Sequence, residues 1–158
     1  MRVGVMSDSH GNTMAVDQAV ERAGEVDCWL HAGDLIGDAE YLAMVTDKRV
    51  INVAGNCDWP SSGVDDEAVV ELGRHRLFLT HGHIYGVKRD KALLREAAIS
   101  KGADIAVYGH THVAEIDEGA DCLVINPGSV SHPRDGKAQS FMVLNIEGDK
   151  VQVEHFHL

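Results

Sequence analysis

The sequence predicts an α/β domain in which two β-sheets face one another and helices cover their outer sides. Three observations carry this. In the first third of the chain, short apolar runs alternate with helical stripes, the pattern of parallel strands joined by right-handed crossovers. Beyond His112 helical periodicity fades, and strands follow one another across turns. Finally, several predicted strands stop abruptly at Asp, Asn or His beside a glycine.

The first apolar run, Arg2 to Met6, is short and β-rich, as a buried parallel strand should be, and it ends in Ser7-Asp8-Ser9-His10-Gly11-Asn12. Thr13 is placed to cap a helix to Ala23, with Ala15, Val16, Ala19, Val20 and Ala23 as its stripe and Gly24 as its stop. A strand from Cys28 to His31 ends in Ala32-Gly33-Asp34, a helix spans Ala39 to Thr46, and a third strand from Arg49 to Val53 ends in Ala54-Gly55-Asn56-Cys57-Asp58. Trp59 to Gly63 reads as a loop from its Pro, Ser and Gly content. Ala68 to Leu72 and His75 to Thr80 form a hairpin around Gly73, and the second strand runs into His81-Gly82-His83. Asp90 to Lys101 is helical with Ala92, Leu93, Ala97 and Ala98 inward, and Ile105 to Tyr108 is a buried strand ending in Gly109-His110-Thr111-His112. Val113 to Ile116, Cys122 to Ile125, Ser140 to Ile146 and Val151 to Phe156 complete the strands, the last two joined by a Glu147-Gly148-Asp149 turn. A mixed sheet from the first part is expected to face a more antiparallel one from the second.

The 158 residues are expected to form one domain, 1–158, and 44% hydrophobic with 25% charged residues is an ordinary globular balance. A formal charge of −11 and 5% aromatic content argue against nucleic acid or an anionic membrane as a partner. No apolar run reaches the ~20 residues of a membrane helix, and Met1-Arg2 leads straight into the first strand without a signal peptide. Cys28, Cys57 and Cys122 are an odd set with no CxxC pair, which fits a reducing, cytoplasmic setting.

Five loops at strand ends present Asp8 and His10; Asp34; Asn56; His81; and His110 and His112. This mix of oxygen and imidazole donors suits Mn, Fe, Ni, Co or Zn. Seven ligands exceed one tetrahedral site, but they match two sites that share a carboxylate and leave positions for water and substrate. The neighbouring glycines let the backbone turn sharply and the loops crowd together.

The ordered set Asp8-Ser9-His10, Gly33-Asp34, Gly55-Asn56-Cys57-Asp58, His81-Gly82-His83 and Gly109-His110-Thr111-His112 resembles the calcineurin-like metallophosphoesterase superfamily. The short chain and Asn126-Pro127-Gly128-Ser129 point to its small prokaryotic phosphodiesterase branch, related in fold to a retromer subunit. The resemblance spans about residues 3 to 146. It implies a four-layer α/β/β/α sandwich and two divalent ions, manganese foremost. Asp8, His10, Asp34 and His112 would bind one, and Asp34, Asn56, His81 and His110 the other. It further implies hydrolysis of a small phosphodiester by a metal-bridging hydroxide, with Asn12 at the phosphate or at a metal-bound water. A phosphomonoesterase with the same ions is the alternative activity, and a non-catalytic scaffold the alternative role. A homodimer is compatible with all three.

Cys57 stands where many members of the superfamily have a histidine that assists the leaving group. A thiol is a weaker proton donor than an imidazolium, so good leaving groups and diesters are expected to be preferred. Asp58 is expected to support a neighbouring His or a turn with Asn56, and His83 to orient His81 or reach substrate. His31 reads as a buried supporting residue, and His75, His155 and His157 as solvated. His132 and Arg134 follow the Asn126 to Ser129 turn, where an exposed loop is expected.

Overall fold

The computed structural model describes residues 1–59 and 62–158, so Pro60 and Ser61 of the expected Trp59 to Gly63 loop lie outside the described residues. In chain order the elements are β1 (Arg2–Met6), α1 (Thr13–Ala23), β2 (Cys28–His31), α2 (Ile36–Thr46), β3 (Arg49–Asn52), β4 (Glu67–Leu72), β5 (His75–Thr80), α3 (Ala92–Ser100), β6 (Ile105–Val107), β7 (Glu115–Glu118), β8 (Leu123–Asn126), β9 (Ser140–Glu147) and β10 (Lys150–His157). A short 3-10 turn, His83–Tyr85, follows β5.

Two five-stranded sheets result, ordered β10-β9-β1-β2-β3 and β4-β5-β6-β8-β7. Their division differs from the expected one. The last two strands return to the first sheet, where β9 pairs antiparallel with β1 and β10, while β1, β2 and β3 are mutually parallel. The second sheet repeats this balance, with β5, β6 and β8 parallel and β4 and β7 antiparallel at its edges.

Period-two alternation sorts the side chains into layers. Val3 and Val5 of β1, Leu77 and Leu79 of β5 and Met142 and Leu144 of β9 meet between the sheets. Met6, Trp29, Phe141 and Val143 face outward under α1 and α2, against Ala15, Val16, Ala19 and Leu42. Phe78, Ala106 and Val124 face the other way, under Leu94 and Ala98 of α3. Helices, two sheets and a helix thus stack as an α/β/β/α sandwich.

Three local expectations are corrected. Asn12, not Thr13, caps α1, its Oδ1 accepting from Ala15 N at 3.1 Å. The inner face of α3 is Leu94, Ala97 and Ala98, leaving Ala92 and Leu93 exposed; a side chain one position along a helix turns by ~100°. α2 starts at Ile36, so Asp38 is a buried residue of its first turn.

Candidate metal centre

Every parallel strand that feeds the site delivers its polar residues at its carboxyl end. Asp8 follows β1, Asp34 follows β2, Asn56 follows β3, His81 follows β5 and His110 follows β6. Cross-sheet hydrogen bonds tie these ends together: His81 Nδ1 donates to Ala32 O at 2.6 Å, and His110 N donates to Asp8 Oδ2 at 3.0 Å.

Among the described residues, six non-glycine residues have positive φ, and four of them are site residues: Asp8 (55°), His10 (47°), His110 (70°) and His112 (60°). The Asp8-Ser9-His10 and His110-Thr111-His112 turns therefore share a pattern, with left-handed residues flanking a hydroxyl residue. Such conformations persist only where surrounding structure enforces them, and Asp and His tolerate them better than most. Two glycines make the crowding possible. A Cβ on Gly55 would collide with the Asp34 carboxylate, and one on Gly109 with Ser7 Oγ and Asp8.

Asp8, Asp34, His81 and His112 are buried, and His10 is partly open. Among the described residues, three groups each bring their donor atoms within 4.8 Å of one another: Asp8, His10 and His112; Asp8, Asp34 and His81; and His10, Asp34 and Cys57. Asp34 Oδ2 is 3.8 Å from His10 Nε2 while its Oδ1 is 3.4 Å from His81 Nε2. His81 Nε2 also lies 3.0 Å from Asn56 Oδ1. His110 falls outside these sets, its ring centroid 5.1 Å from that of His81.

The imidazoles are oriented from behind. His81 Nδ1 donates to Ala32 O and His112 Nδ1 to His132 O, both at 2.6 Å, which turns each Nε2 toward the carboxylates. Asp8 Oδ2 accepts from Ser7 Oγ at 2.7 Å, but Asp8 Oδ1 is buried without a hydrogen bond. A buried carboxylate oxygen left in that state calls for a cation. Burial by itself would raise the Asp8 and Asp34 pKa values; the facing His112 and His81 outweigh it and hold both carboxyls below the usual range. Burial would likewise lower the His81 pKa, but Asp34 and Asp8 outweigh it and push it up. Burial, together with the charge of His81, lowers His110 to about 4 and keeps its ring neutral.

The remaining expected residues have clear positions. Asn12 spends its Oδ1 on α1. Asp58 accepts from Ile36 N at 2.9 Å and Gly55 N at 2.8 Å, fastening the Asn56 loop to the start of α2. Cys57 is exposed, and its N–H donates to Asp34 Oδ1 at 3.1 Å. His83 lines a cavity of about 520 Å³ beside Asn56, its Nδ1 buried without a partner. His132 and Arg134 line a second cavity, about 590 Å³, with His10 and His112.

Two supports lie behind these residues, and of their members His31 and the Asn126 to Ser129 motif were singled out from sequence while Asp38 was not. Asp38 Oδ2 accepts from Ser9 Oγ at 2.6 Å and Gly11 N at 2.7 Å, and Ser9 Oγ in turn meets His31 Nε2 at 2.9 Å. Because Gly33 N donates to His31 Nδ1, the proton of His31 sits on Nε2 and the chain runs from His31 through Ser9 to Asp38. Burial lowers the His31 pKa and keeps it neutral. The second support is the Asn126–Ser131 segment: Asn126 Nδ2 holds Gly109 O at 3.1 Å, and the Ser129 and Ser131 hydroxyls donate to Asp8 O. The Asn126 to Ser129 motif was the available signal.

The model of the calcineurin-like phosphoesterase superfamily domain matches residues 1–149. The chain is 32% identical over 157 residues to a probable metallophosphoesterase, YsnB, of Bacillus subtilis, covering 99% of this chain and 90% of that one. It is 33% identical over 172 residues to the phosphodiesterase YfcE of Escherichia coli strain K12, covering 92% and 88%. The crystal structure of a predicted phosphoesterase from Streptococcus pneumoniae superposes with a TM-score of 0.84 at 31% identity, over 99% of this chain and 88% of that one. No helix among the described residues is long and apolar enough to cross a membrane.

Proposed function

Because the chain belongs to the calcineurin-like phosphoesterase superfamily, we propose that it is a dinuclear metal-dependent phosphodiesterase acting on a small diester. The observation that carries this is the position of Asp34, whose two oxygens face His10 and His81 separately. One carboxylate then serves two ligand sets: Asp8, His10 and His112, and Asn56, His81 and His110. The orphaned Asp8 Oδ1 and the mixed oxygen and imidazole donors fit borderline divalent ions, with manganese as the first choice. Divalent ions there supply Lewis acidity, lowering the pKa of water and neutralising charge on phosphoryl oxygens.

The chain's own residues do the rest. The carbonyls of Ala32 and His132 fix the His81 and His112 rings, so no reorientation is needed during reaction. Asn12 keeps its amide Nδ2 for phosphate, and Asp58 holds Asn56 in place. Hydrolysis adds a water oxygen to phosphorus and breaks the bond to one alcohol, which must gain a proton. Burial, together with the Asp34 charge, raises the Cys57 pKa; its thiol is a poor acid. Leaving groups that need little protonation are therefore favoured, and the relative named as a phosphodiesterase supports diesters.

The test uses protein stripped with a chelator and reloaded with Mn²⁺, assayed on bis(p-nitrophenyl) phosphate and p-nitrophenyl phosphate. Metal-dependent turnover, faster on the diester, is expected. Faster monoester turnover would overturn the diester assignment, and no hydrolysis of either would overturn the enzyme.

A further inference from the structure

Two cavities border opposite ends of the ligand cluster, and their charges differ in sign. The one beside His10 and His112 carries His132 and Arg134, and Arg134 has no carboxylate partner among the described residues. The one beside Asn56 is lined by Trp59, Asp65 and Asp66, with no Lys or Arg among the described residues of its wall. Trp59 is 81% exposed there, an indole face left to water beside a reaction centre. Asp65 and Asp66 are exposed as well, whereas the third carboxylate of that wall, Asp58, is fully engaged by backbone N–H groups.

A phosphodiester is an anion, and carboxylates within a Debye length (~8 Å at physiological salt) of its site repel it. That penalty becomes an attraction when the substrate carries a positive group one arm's length from phosphorus. An indole face adds to this, because its quadrupole attracts ammonium groups and it suits quaternary ammonium in particular. Neither feature helps a neutral polyol or a purely anionic arm.

We propose that Trp59, Asp65 and Asp66 form a subsite for one alcohol of the diester, and that it selects alcohols bearing a quaternary or primary ammonium group. The scissile phosphate then lies at Asn56 and the metal ligands, while the second alcohol extends toward His132 and Arg134. The inference rests on the phosphodiesterase assignment and adds its substrate class. Reaction with such a zwitterionic diester consumes one water and releases a phosphomonoester and an alcohol, the ammonium being carried unchanged on one of them.

The experiment compares glycerophosphocholine with glycerophosphoglycerol, two diesters that differ in the charge of one alcohol, using the Mn²⁺-loaded protein. Bis(p-nitrophenyl) phosphate serves as the control for the assignment itself. The expected kcat/KM ratio favours the choline diester about tenfold, and Asp65→Asn with Asp66→Asn abolishes the preference by raising KM for the choline diester and lowering it for glycerophosphoglycerol, which is then no longer repelled. Trp59→Ala raises KM for the choline diester by several-fold. Independently of turnover, tetramethylammonium should quench the emission of exposed Trp59, and Trp59→Phe should remove that response because Trp29 is buried. Cleavage of the aryl diester with no charge preference overturns the subsite alone. Failure on all diesters overturns the activity, and the fluorescence titration then decides the subsite by itself: quenching upholds it and no quenching overturns it.

Discussion

Ser129 Oγ donates to the backbone carbonyl of Asp8 at 2.8 Å across 121 residues of sequence. The same hydroxyl accepts from Ser131 N and His132 N, and Ser131 Oγ gives Asp8 O a second hydrogen bond at 3.0 Å. The left-handed turn at Asp8 is thus held from the carboxyl-terminal part of the chain. His132, in the same segment, supplies the carbonyl that orients His112. One loop therefore sets two ligands of the same candidate ion.

Ser129→Ala should loosen both. Two buried groups, Asp8 O and Ser131 N, and the partly buried His132 N lose a partner at once, so a cost of ~1–3 kcal/mol is expected. Metal affinity should fall by ~10–100-fold, the usual effect of removing an outer partner. Thermal unfolding of the metal-free variant isolates the first effect and Mn²⁺ titration the second. Unchanged affinity would mean that the Asp8 turn holds itself.

Asp34→Asn asks a different question. If this carboxylate serves two ions, the variant should bind fewer than wild type, and turnover should drop by more than the ~100-fold of an outer-partner loss. Elemental analysis after dialysis gives the count. An undiminished two ions per chain would remove Asp34 from the bridging position.

The seven residues expected as ligands lie at strand ends on one side of the sandwich, with His110 outside the three close donor sets, because strand-end position and residue type are both local properties of the sequence. What escaped is non-local. That β9 returns to pair with β1 depends on contacts across more than a hundred residues, which periodicity cannot report. Asp38 was not singled out, yet it is buried by the fold and collects the Ser9 and Gly11 donors. In α3 the adjacent Leu93 and Leu94 compete for one stripe, and only packing against Phe78 and Ala106 selects the second. The left-handed turns left no trace beyond a choice of Asp and His that also serves ligation.

Asp38→Ala should confirm that hidden support. It strands the buried Ser9 hydroxyl and the partly buried Gly11 N–H, at a cost of ~1–3 kcal/mol. Activity should fall more than stability alone explains, since His10 lies between Ser9 and Gly11. Hydrogen exchange of the Gly11 amide is the direct readout, and unchanged protection would remove Asp38 from the support of this turn.

Cys57→His bears on the leaving group. A correctly placed imidazolium contributes ~10²–10⁴-fold through proton transfer, and only where the alcohol needs one. The variant should therefore gain on alkyl diesters, by up to ~10²-fold, and stay level on nitrophenyl ones. Equal rates on alkyl diesters would show that protonation does not limit this site.

His75, at the opposite end of β5 from His81, was expected to be solvated and is buried instead. Its Nδ1 lies 2.6 Å from Asp104 Oδ2 and its Nε2 2.9 Å from Gly148 O. Both partners accept, so only the imidazolium can donate to both at once. That bond to Asp104, followed by the Gly148 carbonyl and the charges of Asp104 and Asp149, outweighs burial and raises the His75 pKa. A group whose folded pKa exceeds its unfolded value stabilises fully below the unfolded value, ~6.5, and loses that contribution as pH rises through the folded one. Because Gly148 lies in the β9–β10 turn of one sheet and His75 starts β5 of the other, the loss should loosen the contact between sheets at this end. Urea unfolding of the metal-free protein should show stability declining as pH rises above ~6.5 and through the raised folded value. His75→Asn should flatten most of that slope, and an unaltered slope in the variant would assign it to other groups.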